Sequence, residues 1–285
     1  MKYDDLDAAF LKYTGVTAEN QRAIQSYYLP FFSRCRSVID LGCGQGDFVS
    51  LLIEQGIDAL GVDGDAACAR EAEARGARVV CADVFDHLRA IEPSSADGIF
   101  SAHLVEHLPY ARVLELLELS FRALRPGGVI VVATPNARAL YPHLESFYMH
   151  FGHVTFYHPV LLSFFLDYTG YTDIKHGENP NLRSPLWGNL ADLFQDHGPG
   201  AHIASIKRDL PLSGSSGLRR LSRRVKMFLV RMIVLPYVDQ LIAQNNTIHA
   251  RLAAVSQAVE TMRATLDRSI ECYVHARKPL TGRAG

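Results

Sequence analysis

Between residues 37 and 133 the chain alternates two patterns. Short apolar runs predict buried strands near 37–41, 58–62, 77–81, 97–101 and 128–133. Between them, apolar positions recur every three or four residues and predict helices over 46–55, 65–75, 84–91 and 110–124. Strands alternating with helices make an α/β fold, a mostly parallel, doubly wound sheet covered on both faces. Arg125-Pro126-Gly127-Gly128 should stop the helix over 110–124, because proline cannot continue it and glycine takes the left-handed conformation. Pro159 opens a further helix, 159–169, which Gly170 ends.

The periodicity changes after that. Residues 171–177 read as one more strand, and the next segment of strand character is 270–278, at the far end of the chain. Residues 180–217 are rich in Asn, Pro, Gly and Ser and read as loop around the single tryptophan, Trp187. Residues 218–235 read as a basic amphipathic helix, with Leu218, Leu221, Val225, Phe228, Leu229 and Met232 set among six Arg and Lys. Such a helix suits an anionic membrane surface, or a solvated basic face on a packed helix. Residues 238–266 read as a long helix with a heptad seam: Val238, Leu241, Asn245, Ile248, Leu252, Val255, Val259, Met262 and Leu266. An asparagine in such a seam sets register at some cost in stability. The expected partner is a second copy, giving a homodimer through 238–266; the alternative is a helix pair within the chain. At the other end, residues 1–36 carry Tyr13, Tyr27, Tyr28, Phe31 and Phe32 and suggest one or two helices.

Composition narrows the class. With 285 residues, 48% of them hydrophobic, the chain can bury a large core. A formal net charge of −1 gives no pull toward nucleic acid. Cys35, Cys43, Cys68, Cys81 and Cys272 are odd in number and lack the C-x-x-C spacing, which argues against a disulfide framework or a structural zinc. The start of the chain lacks the apolar stretch of a signal peptide, and no apolar run reaches the roughly 18 residues of a membrane span. A cytoplasmic location is the expectation.

The stretch Val38-Ile39-Asp40-Leu41-Gly42-Cys43-Gly44-Gln45-Gly46-Asp47-Phe48 joins a strand to a helix through three alternate glycines. Glycine lets backbone turn sharply and approach a ligand closely, and the helix behind offers free N–H groups. An acid, Asp63, ends the next strand about 20 residues on, the spacing at which a carboxylate meets ribose hydroxyls. Val79-Val80-Cys81-Ala82-Asp83, Ala96 to Pro109, and Leu124-Arg125-Pro126-Gly127-Gly128 leading to Thr134-Pro135-Asn136 follow in order. Together these resemble the class I S-adenosylmethionine-dependent methyltransferases. The resemblance covers residues 37 to about 171. It implies a Rossmann-like seven-stranded sheet whose last strand is antiparallel. It also implies an S-adenosyl-L-methionine site at Asp40, Gly42, Gly44, Gly46, Asp63, Asp83 and Ser101, with Asp83 facing the adenine amino group. The expected organisation is an N-terminal helical lid over 1–36, a methyltransferase domain over 37–180 and 269–285, and a helical insertion over 181–268 before the final strand. A C-terminal appendage is the alternative to the insertion. Gly152-His153-Val154-x-x-Tyr157-His158-Pro159 and Phe164 through Gly170-Tyr171 are similar to a subgroup linked to bacterial surface polysaccharide synthesis. His150 stands where that subgroup leads one to expect aspartate.

The resemblance implies methyl transfer to a hydroxyl, in that subgroup a sugar hydroxyl of a surface glycan. Positioning supplies much of such a rate, on the order of 7–11 kcal/mol, and a base adds roughly 10²–10⁴-fold. Histidine is the natural base near neutral pH. Candidates follow the fourth strand (His103, Glu106, His107) and the fifth (Asn136, His143, His150, His153, His158), with His107 or His153 as the expected base. His103, Glu106, His107 and His153 could instead hold a divalent metal. His103-x-x-Glu106-His107 also matches an inverted zinc-protease pattern. That reading fails, because the pattern follows a strand and runs into Pro109. Alternatives are a lipid-like, polyketide or RNA-end hydroxyl, or a silent scaffold that recruits partners to a membrane.

Overall fold

The computed structural model describes residues 6–15, 17–182, 232 and 235–280. Helices α1 (Leu6–Tyr13) and α2 (Ala18–Gln25) lead into a 3-10 helix, Ser26–Phe32. Strands and helices then alternate: β1 (Ser37–Leu41), α3 (Asp47–Glu54), β2 (Asp58–Asp63), α4 (Ala66–Ala74), β3 (Val79–Cys81), α5 (Val84–Ala90), β4 (Ala96–Ala102), α6 (Tyr110–Ala123) and β5 (Leu124–Pro135). After α7 (Phe147–Met149) and α8 (Pro159–Tyr168) come β6 (Thr172–Glu178), the long helix α9 (Leu235–Leu266) and β7 (Glu271–Arg277).

These strands form one seven-stranded sheet in the order β3-β2-β1-β4-β5-β7-β6. The pairs among β1 to β5 are parallel. β7 runs antiparallel to β5 and to β6, with Val132 opposite Val274 and His176 opposite Val274. The last strand in sequence thus lies inside the sheet, and the helical insertion precedes it. β1 shows why the centre is stable: Val38, Ile39, Asp40 and Leu41 are all buried, as expected of a parallel strand covered on both faces. One face packs Ile39, Leu41, Ile99, Leu116, Leu117 and Tyr171. The other packs Tyr28, Phe32, Phe48, Phe100 and Val131.

One boundary differs from the expected one by a residue. Arg125-Pro126-Gly127-Gly128 does not follow a helix that runs to 124. α6 ends at Ala123, and the four residues fall within β5, beside a register shift between Ala96 and Gly98. The aromatics of the 3-10 helix are core: Tyr28 and Phe32 are fully buried, and Phe32 and Phe48 have ring centroids 5.7 Å apart. Farther up the segment, α1 brings Phe10 edge-on to His150 at 4.8 Å.

The chain divides into two compact units, residues 1–186 with 266–285, and residues 187–265. In the second unit, α9 starts one residue before Pro236, a favoured first-turn position for proline. On this helix Ile248, Leu252, Val255 and Met262 are each at least half exposed. Trp187 and almost all of the predicted basic helix 218–235 lie outside the described residues. Among the described residues no helix is long and apolar enough to cross a membrane.

Candidate active site

Parallel pairing sets the carboxyl ends of β1, β2, β4 and β5 along one edge of the sheet, where open α/β folds bind ligands. At the end of β1 the backbone turns through Gly42, Gly44 and Gly46, with φ of 73°, 52° and 73°. These are left-handed values that favour glycine. A side chain on Gly46 would strike the Cβ atoms of Ala77 and Ala72 at 2.8 and 2.9 Å, so this glycine lets α3 pack closely. A Cβ on Gly44 would meet nothing within 4 Å, which leaves its side of the turn open to a ligand. Asp63, at the end of β2, accepts a hydrogen bond from Gly44 N–H at 2.7 Å through Oδ2 and from Asp65 N–H at 2.8 Å through Oδ1. Asp40 is buried on β1. Burial, with Asp63 nearby, pushes its carboxyl well above the usual range. Ser101 Oγ donates to Leu41 O at 3.1 Å and ties β4 to β1. Asp83 caps α5, accepting from Phe85 N–H and Asp86 N–H through Oδ1. An open glycine turn with a carboxylate beside it fits an adenosyl cofactor, and Gly42, Gly44 and Asp63 are the residues that would hold it.

After β4 the chain forms a polar network in which His103, its side chain 42% exposed, meets two buried carboxylates. His103 adopts a left-handed φ of 54°. Its Nδ1 lies 3.0 Å from Glu106 Oε1 and its Nε2 2.7 Å from Glu271 Oε2. Both carboxylates are buried. Tyr28 OH donates to Glu271 Oε1 at 2.5 Å, Asn179 Nδ2 donates to the same oxygen at 2.7 Å, and Thr134 Oγ1 donates to Glu106 Oε2 at 3.0 Å. Partial loss of hydration opposes a charge on His103, but the hydrogen bonds to Glu106 and Glu271 outweigh it and push its pKa up to about 10. Burial opposes the Glu106 charge too, and His103 holds that carboxyl below its ordinary value. His103 is therefore an imidazolium between two carboxylates, which is the wrong protonation state for a base.

The other histidines gather beside it. Val154 N–H and Thr155 N–H donate to Glu106 O at 2.9 and 3.1 Å, folding the loop after β5 onto the turn that carries His107. Ring centroids of His107, His150 and His153 lie 4.8 to 4.9 Å apart. His153 Nδ1 donates to Phe147 O at 2.6 Å, and its Nε2 is 3.9 Å from Glu106 Oε1. Burial lowers the His153 pKa, so this ring is neutral near pH 7. His150 Nδ1 accepts from Gly152 N–H at 3.1 Å. A Cβ on Gly152 would come within 2.6 Å of His107 Nδ1, so only glycine leaves room for that ring. His158 caps α8 through a bond from Val160 N–H, and His143 stacks on Phe156. Asn136 is buried and joins the end of β5 to Ser269 and Ile270.

The sequence shows Tyr28 as one of the N-terminal aromatics, but marks neither it nor Glu271 and Asn179 for this site. They lie 160 or more or about 75 residues from His103, and no local pattern marks them. His150 was visible as one of the histidines after the fifth strand and as the residue standing in an aspartate's expected place.

A family model described as a methyltransferase domain matches residues 16–176. A probable S-adenosylmethionine-dependent methyltransferase of Mycolicibacterium smegmatis is 31% identical over 139 residues, 46% of this chain and 52% of that protein. A trans-aconitate 2-methyltransferase of Azoarcus is 38% identical over 105 residues, 35% of this chain and 39% of that protein. The chain thus spans about half or less of the length of these curated relatives. Among solved structures, an S-adenosylmethionine-dependent methyltransferase from Archaeoglobus fulgidus superposes with a TM-score of 0.65 at 24% identity, covering 95% of this chain and 98% of that one. Phosphoethanolamine N-methyltransferase 2 of Haemonchus contortus, solved with S-adenosyl-L-methionine, gives 0.50 at 18% identity, covering 95% and 59%. At such identities these two establish the fold alone.

Proposed function

This chain belongs to the methyltransferase-domain family, and from that premise we propose that it is an S-adenosylmethionine-dependent O-methyltransferase acting on a sugar hydroxyl in surface glycan synthesis. S-adenosyl-L-methionine, when bound, supplies a methyl group already activated by its sulfonium. The protein's own residues hold it at the glycine turn and Asp63, and orient the acceptor. They must also take up or weaken the hold on the hydroxyl proton.

The observation that carries the hydroxyl reading is the group of three imidazoles beside Glu106 at the sheet's carboxyl edge. A carboxylate acceptor, as the name of the trans-aconitate relative implies for that protein, needs no base and calls for cations. The cation at the described rim, His103, is already engaged by Glu106 and Glu271, and the three imidazoles beside Glu106 suit a neutral hydroxyl. The sugar and the glycan rest on the resemblance of residues 152–159 and 164–171. Lipid-like acceptors form a second reading, favoured by Met149 and Phe151, both more than half exposed beside His150.

We propose further that the N-terminal segment, residues 1–36, lies over the cofactor as a lid, that residues 238–266 join two copies, and that residues 218–235 touch an anionic membrane from the cytoplasmic side. Transfer of labelled methyl into fractionated glycans, lipids and RNA of the source cell tests the acceptor. Label in the glycan fraction is expected, and label confined to lipid or RNA would overturn the sugar reading. Replacing His107 or His153 with alanine should abolish turnover while cofactor affinity stays. Full activity in both variants would defeat the assignment.

A further inference from the structure

We propose that His107, His150 and His153 form a three-imidazole site for a transition-metal ion of the Zn²⁺ class, with one position left open to the acceptor. Among the described residues they are the one group of three or more histidine, cysteine or acidic side chains whose ligand atoms all lie within 4.8 Å of one another. In a zinc site with bonds of about 2.0–2.1 Å, such nitrogens stand roughly 3.4 Å apart, so the rings close by up to about 1.4 Å around the ion.

Each ring is prepared differently. His153 donates its Nδ1–H to Phe147 O at 2.6 Å, which fixes the tautomer and leaves the Nε2 lone pair to the ion. His107 makes no hydrogen bond through its ring nitrogens to any described residue, and Gly152 provides the space it occupies. His150 joins by giving up the bond its Nδ1 accepts from Gly152 N–H at 3.1 Å. Phe10, Phe147 and Phe151 pack on the cluster. Glu106 is not a ligand here, because His103 and Thr134 engage its two oxygens. Its Oε1 lies 3.9 Å from His153 Nε2 and supplies the negative charge that imidazole ligands lack.

The donor set selects the ion. Imidazole suits Zn, Cu, Fe and Ni, whereas Mg²⁺ and Ca²⁺ require oxygen ligands. Three protein ligands and an open position are the arrangement of catalytic zinc. On the O-methyltransferase reading, the open position takes the acceptor hydroxyl, whose pKa the ion lowers so that its proton leaves to water. No strong protein base is then needed, which agrees with His103 being locked as a cation.

The full-length protein, stripped with EDTA and dialysed, would be titrated with Co²⁺ while its visible absorption is recorded. The expected result is one high-affinity equivalent with the bands of a low-coordinate nitrogen site, displaced by Zn²⁺ and not by millimolar Mg²⁺. His150→Leu should weaken Co²⁺ binding at least tenfold, His150→Asp should retain most of it, and His143→Ala should leave it unchanged. Absence of binding, displacement by Mg²⁺, or equal binding in His150→Leu and the parent would each overturn the site. Because the readout requires no turnover, metal binding without methyl transfer upholds the site and defeats the reaction assigned above. Methyl transfer that survives EDTA in a protein with no Co²⁺ site defeats only the metal.

Discussion

His103 decides the electrostatics of the site. Its pKa is held near 10 against an ordinary 6.5, with partial loss of hydration opposing and the bonds to Glu106 and Glu271 prevailing. A raised folded value means the contribution to stability is complete below pH 6.5 and disappears as pH rises through about 10. His103→Asn tests this, since asparagine tolerates the left-handed backbone at this position but carries no charge. The difference in melting temperature between parent and variant should be largest near pH 6 and shrink steadily toward pH 10. A constant difference would show that the ring is not a charged bridge. Asp63 belongs to the same scale. Asp63→Ala removes the carboxylate beside Gly44, and hydrogen bonds to charged groups are worth about 1.5–3 kcal/mol. Affinity for S-adenosylhomocysteine, measured by calorimetry, should fall roughly 10–100-fold.

The strand-turn-helix element from β1 to α3 holds two glycines with different duties. Gly46→Ala must take a left-handed conformation, costing about 1–2 kcal/mol, and press on Ala72 and Ala77, costing about 1–3 kcal/mol more. Urea unfolding should therefore show a loss of roughly 2–5 kcal/mol. Gly44→Ala meets only the conformational strain, so its stability should fall by about 1–2 kcal/mol. Its new methyl group enters the open side of the turn, and cofactor affinity should fall more than stability. If the two variants behaved alike in both assays, the turn would not be the cofactor cradle. Another element, the loop after β5, reaches the site through two backbone bonds to Glu106 O, which is why histidines at 150 and 153 meet His107.

At the scale of the molecule, the insertion and the sheet raise separate questions. α9 exposes Ile248, Leu252, Val255 and Met262 at helical spacing, an apolar stripe that a second copy would cover. Leu252→Asp combined with Val255→Asp should convert the proposed dimer into a monomer in light scattering, with the sheet domain intact by circular dichroism. A dimer that persists in this variant would place the interface elsewhere. The sheet is also joined across the whole sequence, because Glu271 on β7 contacts Tyr28 before β1 and His103 after β4. Tyr28→Phe should thus loosen three distant segments at once, seen as faster hydrogen exchange in β7 as well as near residue 28.

The order of elements, the parallel sheet, the glycine turn and the acids at 63 and 83 were all legible in the sequence. Each rests on local information: apolar periodicity, turn residues, and spacing along a few tens of residues. Even the return of the final strand after the insertion could be read, because 270–278 alone had strand character to complete the sheet. What histidine does at each position could not be read. His103 and His107 stand four residues apart, yet one is clamped between carboxylates and the other joins two imidazoles from a loop more than forty residues on. Charge state and ligand geometry depend on which side chains meet in space. Here the partners are Glu271, Tyr28, His150 and His153, which β7, the 3-10 helix before β1 and the loop after β5 deliver only once the sheet has formed.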